Sequence, residues 1–294
     1  MTEGPLQHQP FLQTPLTSLS MQQAIQYPPQ KDAAFHALHR QDQPLYLANA
    51  WDAGSARLIA QCGAQAIATT SAGIAWSLGY QDGNKLPLDE HLAAVRRMAR
   101  VIDLPLSVDI EGGYGSTGLD VGEVVARMID AGAVGINMED GSTAPEVLCE
   151  KIAGARAAAQ RLGVQLYINA RTDVLARGLV PPAQQPDEVL RRASLYRAAG
   201  ADGLFVLGLV NPDDIGRIAA DCGLLLNVIA WPGLPPAVDL RRLGVRRVSA
   251  GSWLPQQLWQ TTRRLVSGLL AKGEAGALLE GAAPYAEVNA AYST

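Results

Sequence analysis

One phrase recurs along this chain and leaves few folds open to it: an amphipathic segment closes on glycine, and a short apolar run follows at once. Cys62-Gly63-Ala64 leads into Ala66–Thr69, Ala131-Gly132-Ala133 into Val134–Met138, Ala199-Gly200-Ala201 into Gly203–Val206, and Leu243-Gly244-Val245 into Arg247–Ser249. Leu45–Ala48, Leu106–Asp109, Leu166–Asn169 and Leu225–Val228 complete eight candidate strands. Between them run segments such as Leu88–Val101 and Asp187–Ala199, whose apolar positions fall at three- and four-residue steps, the period of a helix with one buried face. Strands that alternate with helices form parallel sheets covered on both faces, and eight units close into a (β/α)8 barrel of the TIM type. An open doubly wound sheet shares the alternation but carries a glycine-rich phosphate turn after its first strand, and Asn49-Ala50-Trp51-Asp52-Ala53-Gly54 is not that turn.

The length of 294 residues suits one such barrel. Residues 1–30, rich in Gln, Pro, Thr and Ser, are expected to be a flexible N-terminal arm, and 31–294 a single barrel with a C-terminal helical extension. With 24 basic and 28 acidic residues and no Lys/Arg stripe, nucleic acid is not an expected partner. No apolar run reaches the roughly 20 residues that span a bilayer, and the N-terminus lacks the order of a signal peptide. No membrane association and a cytoplasmic location are therefore expected. Cys62, Cys149 and Cys222 are odd in number and far apart, without ligand-spaced histidines, so reduced thiols are expected rather than disulfides or zinc.

Chemistry concentrates where the strands end. Asp82, Asp109, Glu111 and Glu139 each fall at or just past the carboxyl end of a strand. Ionised carboxylates gathered in one cleft repel one another and lose hydration unless a cation joins them, and a hard divalent ion, Mg2+ first and Mn2+ as the alternative, suits oxygen donors. Asp109 and Glu111 stand two positions apart in Val108-Asp109-Ile110-Glu111-Gly112-Gly113-Tyr114-Gly115, and on an extended backbone they point to one side. Each acid has a plainer role open to it: Asp82 in a turn with Gly83 and Asn84, Glu139 or Asp140 as the cap of the next helix.

The connection from Thr70 to Leu86 is long for a barrel and expected to be a functional loop. Backbone amides at Thr70, Ser71, Ala72 and Gly73 suit a carboxylate or oxyanion, though a simple turn has the same composition. Arg171, at the end of strand five, offers a guanidinium fork to a substrate carboxylate, or an ion pair to Glu139 or Asp173. Ser249–Ser252 suits an anion or a helix cap. Tyr80, Tyr114 and Cys149 are the candidates for proton transfer, with Cys149 equally readable as a small buried hydrophobe. The histidines lie in the arm or in helices, which argues against a histidine-based triad.

Together, Gly79-Tyr80-Gln81-Asp82, Asp109–Gly115, Asn137-Met138-Glu139-Asp140 and Asn169-Ala170-Arg171-Thr172-Asp173 resemble the isocitrate lyase and phosphoenolpyruvate mutase superfamily over about Phe35 to Leu270. The resemblance implies a Mg2+-dependent barrel in which Asp109 contacts the metal directly and Asp82, Glu111 and Glu139 hold it mainly through water. It implies substrate contacts from Ser71, Ala72 and Arg171, and a homodimer or homotetramer that exchanges its last helix, here about Ser252 to Ala271. The implied activity is cleavage of a carbon–carbon bond in a small 2-hydroxy or 2-oxo di- or tricarboxylate through an enolate. Decarboxylation of an oxaloacetate-type acid, phosphonopyruvate-type chemistry and a non-catalytic ligand-binding barrel are the alternatives. The lyases carry a Lys-Lys/Arg-Cys-Gly-His gating loop after the Glu-Asp pair, whereas here Gly141–Glu146 runs directly into helix and Cys149 lacks the Gly-His. Glu111 stands where aspartate is usual, and Val206-Leu207-Gly208 lacks the histidine of some relatives.

Overall fold

A computed structural model describes residues 30–293; the expected arm lies almost wholly outside the described residues. Nine strands form one parallel sheet: β1 (Leu45–Leu47), β2 (Asn49–Ala50), β3 (Ile67–Thr69), β4 (Leu106–Asp109), β5 (Gly135–Glu139), β6 (Tyr167–Thr172), β7 (Gly203–Val206), β8 (Leu225–Ile229) and β9 (Arg247–Ser249). The first expected strand is broken at Ala48, so that β1 pairs with β9 while β2 pairs with β3. One chain segment thereby joins both ends of the ladder, and the eight expected staves close a (β/α)8 barrel. Among the described residues no helix is long and apolar enough to cross a membrane.

Aliphatic side chains from the strands and from the inner faces of the helices, among them Ile67, Val95, Met98, Val108, Ile136, Ile168 and Val206, form one core with almost no exposure. Two helices that flank the candidate site cross at glycines. In Gly118–Asp130 and Pro145–Arg161 the backbones approach so closely that a Cβ on Gly154 would overlap the Gly118 carbonyl. The second helix, which carries Cys149 and Lys151, is held firmly against the site by that contact.

Not all of the barrel interior is apolar. Asn169 Nδ2 donates to Asn137 Oδ1 and Asn227 Oδ1, both at 2.9 Å, and Arg247 Nη2 donates to Asn137 Oδ1 at 3.2 Å. Arg247 is 1% exposed, and burial pushes its guanidinium down to about 10. Beneath this layer the helix Lys31–Leu38 plugs the barrel with Phe35, and His39 stacks on Tyr167 with ring centroids 3.9 Å apart. His39 Nδ1 donates to the Phe35 carbonyl at 2.7 Å, and burial, assisted by Arg247, pushes the imidazole down to about 3.

That shift sets an acid sensitivity. The unfolded chain takes up a proton at His39 near pH 6.5, about three and a half units above the folded chain, so the contribution is complete above 6.5 and fades as pH falls toward 3. At pH 5 the loss amounts to about 2 kcal/mol. Thermal denaturation of the parent and of His39→Gln between pH 7 and 5 measures it: the variant is expected to show the shallower decline, and equal slopes would refute the assignment.

The C-terminal extension differs from the helices of the ring. Trp253–Lys272 contains no buried residue, with Leu258, Trp259 and Leu270 exposed by 52%, 63% and 80%. Trp253 Nε1 donates to the Ala230 carbonyl at 2.5 Å, and farther along the tail Arg57 Nε donates to the Ala291 carbonyl at 2.6 Å.

Candidate active site

All the strands run parallel, so their carboxyl ends share one rim, and the acids of interest lie there. β4 ends at Asp109, whose N–H donates to Thr69 Oγ1 (2.9 Å) and whose Oδ2 accepts from Ser71 Oγ (3.0 Å). The chain then turns sharply. Glu111 (φ 50°), Gly113 (φ 97°) and Tyr114 (φ 57°) all occupy the left-handed region, which is costly for the two non-glycine residues. Glu111 is therefore not on extended backbone as its spacing from Asp109 suggests. The Asp109 Oδ1 accepts the Glu111 N–H at 3.2 Å, bending the chain immediately after the strand. The turn still brings Glu111 into the cleft, and a Cβ on Gly113 would press Val121 and Met138 at 3.0 and 3.1 Å.

The segment after β3 also departs from expectation. Thr70–Leu86 is not a continuous loop, because Ser71–Ser77 is a helix with Thr70 as its N-cap, the Thr70 Oγ1 accepting from the Gly73 N–H at 3.5 Å. The N–H groups of Ser71 and Ala72, in the first turn, have no intrahelical acceptors. Beyond the helix, the Asn84 N–H donates to Glu111 Oε2 and the Gly112 N–H donates to Asn84 Oδ1 at 3.2 Å. These bonds clasp the Asp82 segment onto the turn after β4.

The four acids sense one another. Burial and then Asp109 raise Asp82 above the usual carboxylate range. Burial, with Asp109 and Asp82 adding to it against the Asn84 N–H, pushes Glu111 up to about 7. Burial, opposed by Arg171 and reinforced by Asp109, Asp173 and Glu111, pushes Glu139 up to about 7 as well. Glu111 is 3% exposed and its Oε1 has no hydrogen-bond partner. An orphaned buried carboxylate oxygen among like charges fits a site completed by a hydrated cation. Among the described residues, no group of three or more His, Cys, Asp or Glu side chains is placed to ligate one metal ion directly.

Glu139 and Arg171 are register neighbours on β5 and β6. Arg171 Nη1 lies 2.7 Å from Glu139 Oε2, while Nε and Nη2 donate to Asp173 at 2.7 and 3.1 Å. The guanidinium is thus engaged by both acids named as its structural partners, and two of its five N–H groups remain for a ligand. Asp140 caps no helix. It is 2% exposed and accepts from Arg192 Nη1 (2.7 Å), Tyr196 Oη (2.6 Å) and the Asp173 N–H (2.9 Å), which ties the Glu139 strand end to the helix Gln185–Ala199.

The remaining candidates are dispersed. Tyr114 lies near the acids, its Oη 3.1 Å from His91 Nδ1, and burial with Glu111 and Asp109 pushes the phenol above its usual range. Tyr80 lines a separate cleft with Trp76, Gln256 and Trp259. Cys149 is half-buried on the helix Pro145–Arg161, and burial and Glu146 raise its thiol, the opposite of what a reactive thiolate requires. Around Ser249–Ser252, the Gly251 N–H donates to Asn49 Oδ1 at 2.8 Å and Ser252 makes no side-chain cap. His91 lies in a helix, as the sequence suggests, but its burial was not foreseen. It is fully buried, pushed down to about 4 by burial, and sits on the inner face of Leu88–Arg100 with Leu92 and Val95.

The profile of the phosphoenolpyruvate phosphomutase family matches residues 35–270. A candidate phosphonomutase of Burkholderia cenocepacia J2315 is 43% identical, with a TM-score of 0.77 over 81% of this chain and 99% of that one. The 2-methylisocitrate lyase of Salmonella typhimurium is 32% identical over 219 residues, 69% of this chain and 71% of the relative. A phosphonopyruvate hydrolase crystallised with oxalate and Mg2+ is 25% identical, with a TM-score of 0.78 over 89% of this chain and 94% of that one. The recurring strand–helix phrase, the acids at the rim and these similarities agree: the chain belongs to the phosphoenolpyruvate phosphomutase family, and is an enzyme of the isocitrate lyase and phosphoenolpyruvate mutase superfamily.

Proposed function

We propose that this enzyme is a Mg2+-assisted lyase that cleaves a carbon–carbon bond of a small 2-hydroxy or 2-oxo di- or tricarboxylate, releasing a pyruvate- or glyoxylate-like fragment through its enolate. The observation that carries this reading is the buried Glu111 carboxylate, whose Oε1 has no hydrogen-bond partner, on the turn immediately after Asp109 at the barrel rim. Asp109 would hold the ion directly, and Asp82, Glu111 and Glu139 through water. When bound, Mg2+ supplies Lewis-acid polarisation of the substrate oxygen. The oxalate and Mg2+ of the phosphonopyruvate hydrolase crystal support this choice of ion.

The chain's own residues do the rest. Arg171, kept cationic by Glu139 and Asp173, uses its two remaining N–H groups to orient a substrate carboxylate. The Ser71 and Ala72 N–H groups share negative charge that grows on the reacting oxygen. Tyr114 holds a proton near the acids, kept on the phenol by burial and neighbouring negative charge. The short Gly141–Ala144 connection and the raised Cys149 thiol favour one second reading within the same class, decarboxylation of a 2-oxo diacid, which needs no cysteine acid.

Incubation with Mg2+ and a panel of 2-methylisocitrate, 2,3-dimethylmalate, oxaloacetate and phosphonopyruvate tests the proposal. A 2-oxo acid or glyoxylate is expected from one of the first two. Carbon dioxide and pyruvate from oxaloacetate alone would establish the second reading, and no product from any, with ligand binding intact, would support a ligand-binding barrel instead.

The apolar, unburied helix Trp253–Lys272 supports an exchanged-helix dimer or tetramer. Light scattering is expected to give a mass of two or four chains, and Trp259→Glu to lower it; a monomeric parent would contradict the proposal.

A further inference from the structure

Arg247 stands on β9 inside the barrel, in register with Leu45 of β1 and Asn227 of β8. It is one of the largest fully buried side chains, yet its guanidinium is nearly unbonded: Nη2 donates to Asn137 Oδ1 at 3.2 Å, while Nε and Nη1 have no partner. Among the described residues no carboxylate forms an ion pair with it, and the one carboxylate whose charge acts on it is Asp109, at the rim. Other buried or half-buried guanidinium groups are matched. Arg171 pairs with Glu139 and Asp173, Arg192 with Asp140 and Glu188, and Arg156 with Asp202.

The strands fix where this charge lies. Asn137, its one partner, is two residues before Glu139 on β5 and is the register neighbour of Asp109. Side chains two apart on a strand share a face, and two residues rise roughly 7 Å, so Arg247 sits about one interior layer beneath the acids. Asn137 Oδ1 does not depend on it, because it also accepts from Asn169 Nδ2 at 2.9 Å. Nor does the space call for a charge, since a buried ion without a counter-ion is costly where an apolar side chain of similar volume is not. The groups below leave the charge uncancelled: burial raises the Tyr167 phenol above its usual range and so keeps its proton on, and His39 is neutral at pH 7. Salt and water, which screen surface charges, do not reach the guanidinium, so its field extends up into the mouth. There the clustered acids would otherwise repel an anionic ligand.

We infer that Arg247 is a positioning residue that acts through its charge: an unpaired cation beneath the barrel mouth that strengthens the hold on an anionic substrate and weakens the hold on the metal ion. The inference rests on the reading of the carboxylate cluster as the core site and deepens it. It makes the preference of the site for doubly over singly charged anions a property of the barrel interior, set by a residue that touches neither substrate nor metal.

Calorimetry tests it on the parent, Arg247→Met and Arg247→Lys at pH 7, with Mg2+ alone and then with pyruvate and oxalate at saturating Mg2+. A field acts in proportion to ligand charge and with opposite sign on a cation, whereas a damaged site loses all three ligands together. Arg247→Met is expected to bind pyruvate on the order of tenfold more weakly and oxalate on the order of a hundredfold more weakly, the scale for charges ~10 Å apart at an effective dielectric of ~20, and to bind Mg2+ several-fold more tightly. Arg247→Lys, which keeps a charge, is expected to restore most of the oxalate affinity. Unchanged oxalate affinity in Arg247→Met, or Mg2+ and both anions weakened together, overturns the proposal. So does failure of both Arg247→Met and Arg247→Gln to fold by circular dichroism, which would show that the guanidinium serves the barrel and not the ligand. Absence of Mg2+ and oxalate binding in the parent refutes the core-site reading and this inference with it.

Discussion

Asp109→Ala is expected to lower kcat/KM by on the order of a thousandfold or more and to remove measurable Mg2+ binding, while the barrel stays folded. Burial is the main cause that raises Asp82, Glu111 and Glu139, and Asp109 adds to the shift of each of them. Its side chain contributes little to packing, being partly exposed at the strand end and bonded only to Ser71 Oγ and the Glu111 N–H. Removing one of four clustered negative charges also relieves repulsion, which offsets the lost hydrogen bonds. The thermal midpoint of the variant without metal should therefore lie within a few degrees of the parent, and titration calorimetry should show no heat of Mg2+ binding. Equal affinity in variant and parent would move the metal elsewhere.

Asp140→Ala should do the reverse, destabilising the fold by about 3–5 kcal/mol, the scale for stripping one partner from a buried ion pair. Asp140 is the adjacent acid in the same Glu-Asp pair, yet it points away from the cleft into a dry contact with Arg192 and Tyr196. Its loss leaves the Arg192 guanidinium, 8% exposed, with only Glu188 as a carboxylate partner and leaves the Asp173 N–H unbonded. Urea unfolding of the variant, with Tyr196→Phe as a milder companion at about 1 kcal/mol, measures the effect. A loss under about 1 kcal/mol for Asp140→Ala would show that the network is not tightly held.

These two neighbours mark how far the sequence could be read. The glycine-to-strand phrase located four staves and short apolar runs the other four, because most strand residues are buried on both faces, with Tyr46 of β1 an exposed exception. It could not show the break at Ala48, since splitting a strand between two partners changes pairing and not composition. The rim acids were legible because charge at the end of a buried strand is unusual, but the route of Glu111 to the cleft was not. Its left-handed turn depends on the Asp109 side chain accepting a backbone N–H, a local competition that alternation of side chains does not register. The helix Ser71–Ser77 was missed because it is short and built of small residues with no clear period. The burial of His91 and of Arg247 was missed for a further reason. Each is a polar group buried by its neighbours in three dimensions, and nothing in the flanking residues distinguishes it from a solvated one.

Lys151 belongs to the same class of hidden residue. On its helix it reads as an ordinary surface lysine, and only the approach of Pro145–Arg161 to the turn after β4, permitted by Gly154, makes it a neighbour of the acids.

The central claim is that Asp82, Asp109, Glu111 and Glu139 surround one divalent ion at the mouth of the barrel. A crystal soaked with Mn2+ and oxalate, measured for anomalous scattering, tests it most directly. The account predicts one strong peak about 2.1 Å from an Asp109 oxygen, with water bridging to the other three acids and oxalate lying toward Ser71 and Arg171. A cluster without a peak at saturating Mn2+, or a peak bound by other residues while these acids pair with cationic side chains, would contradict it.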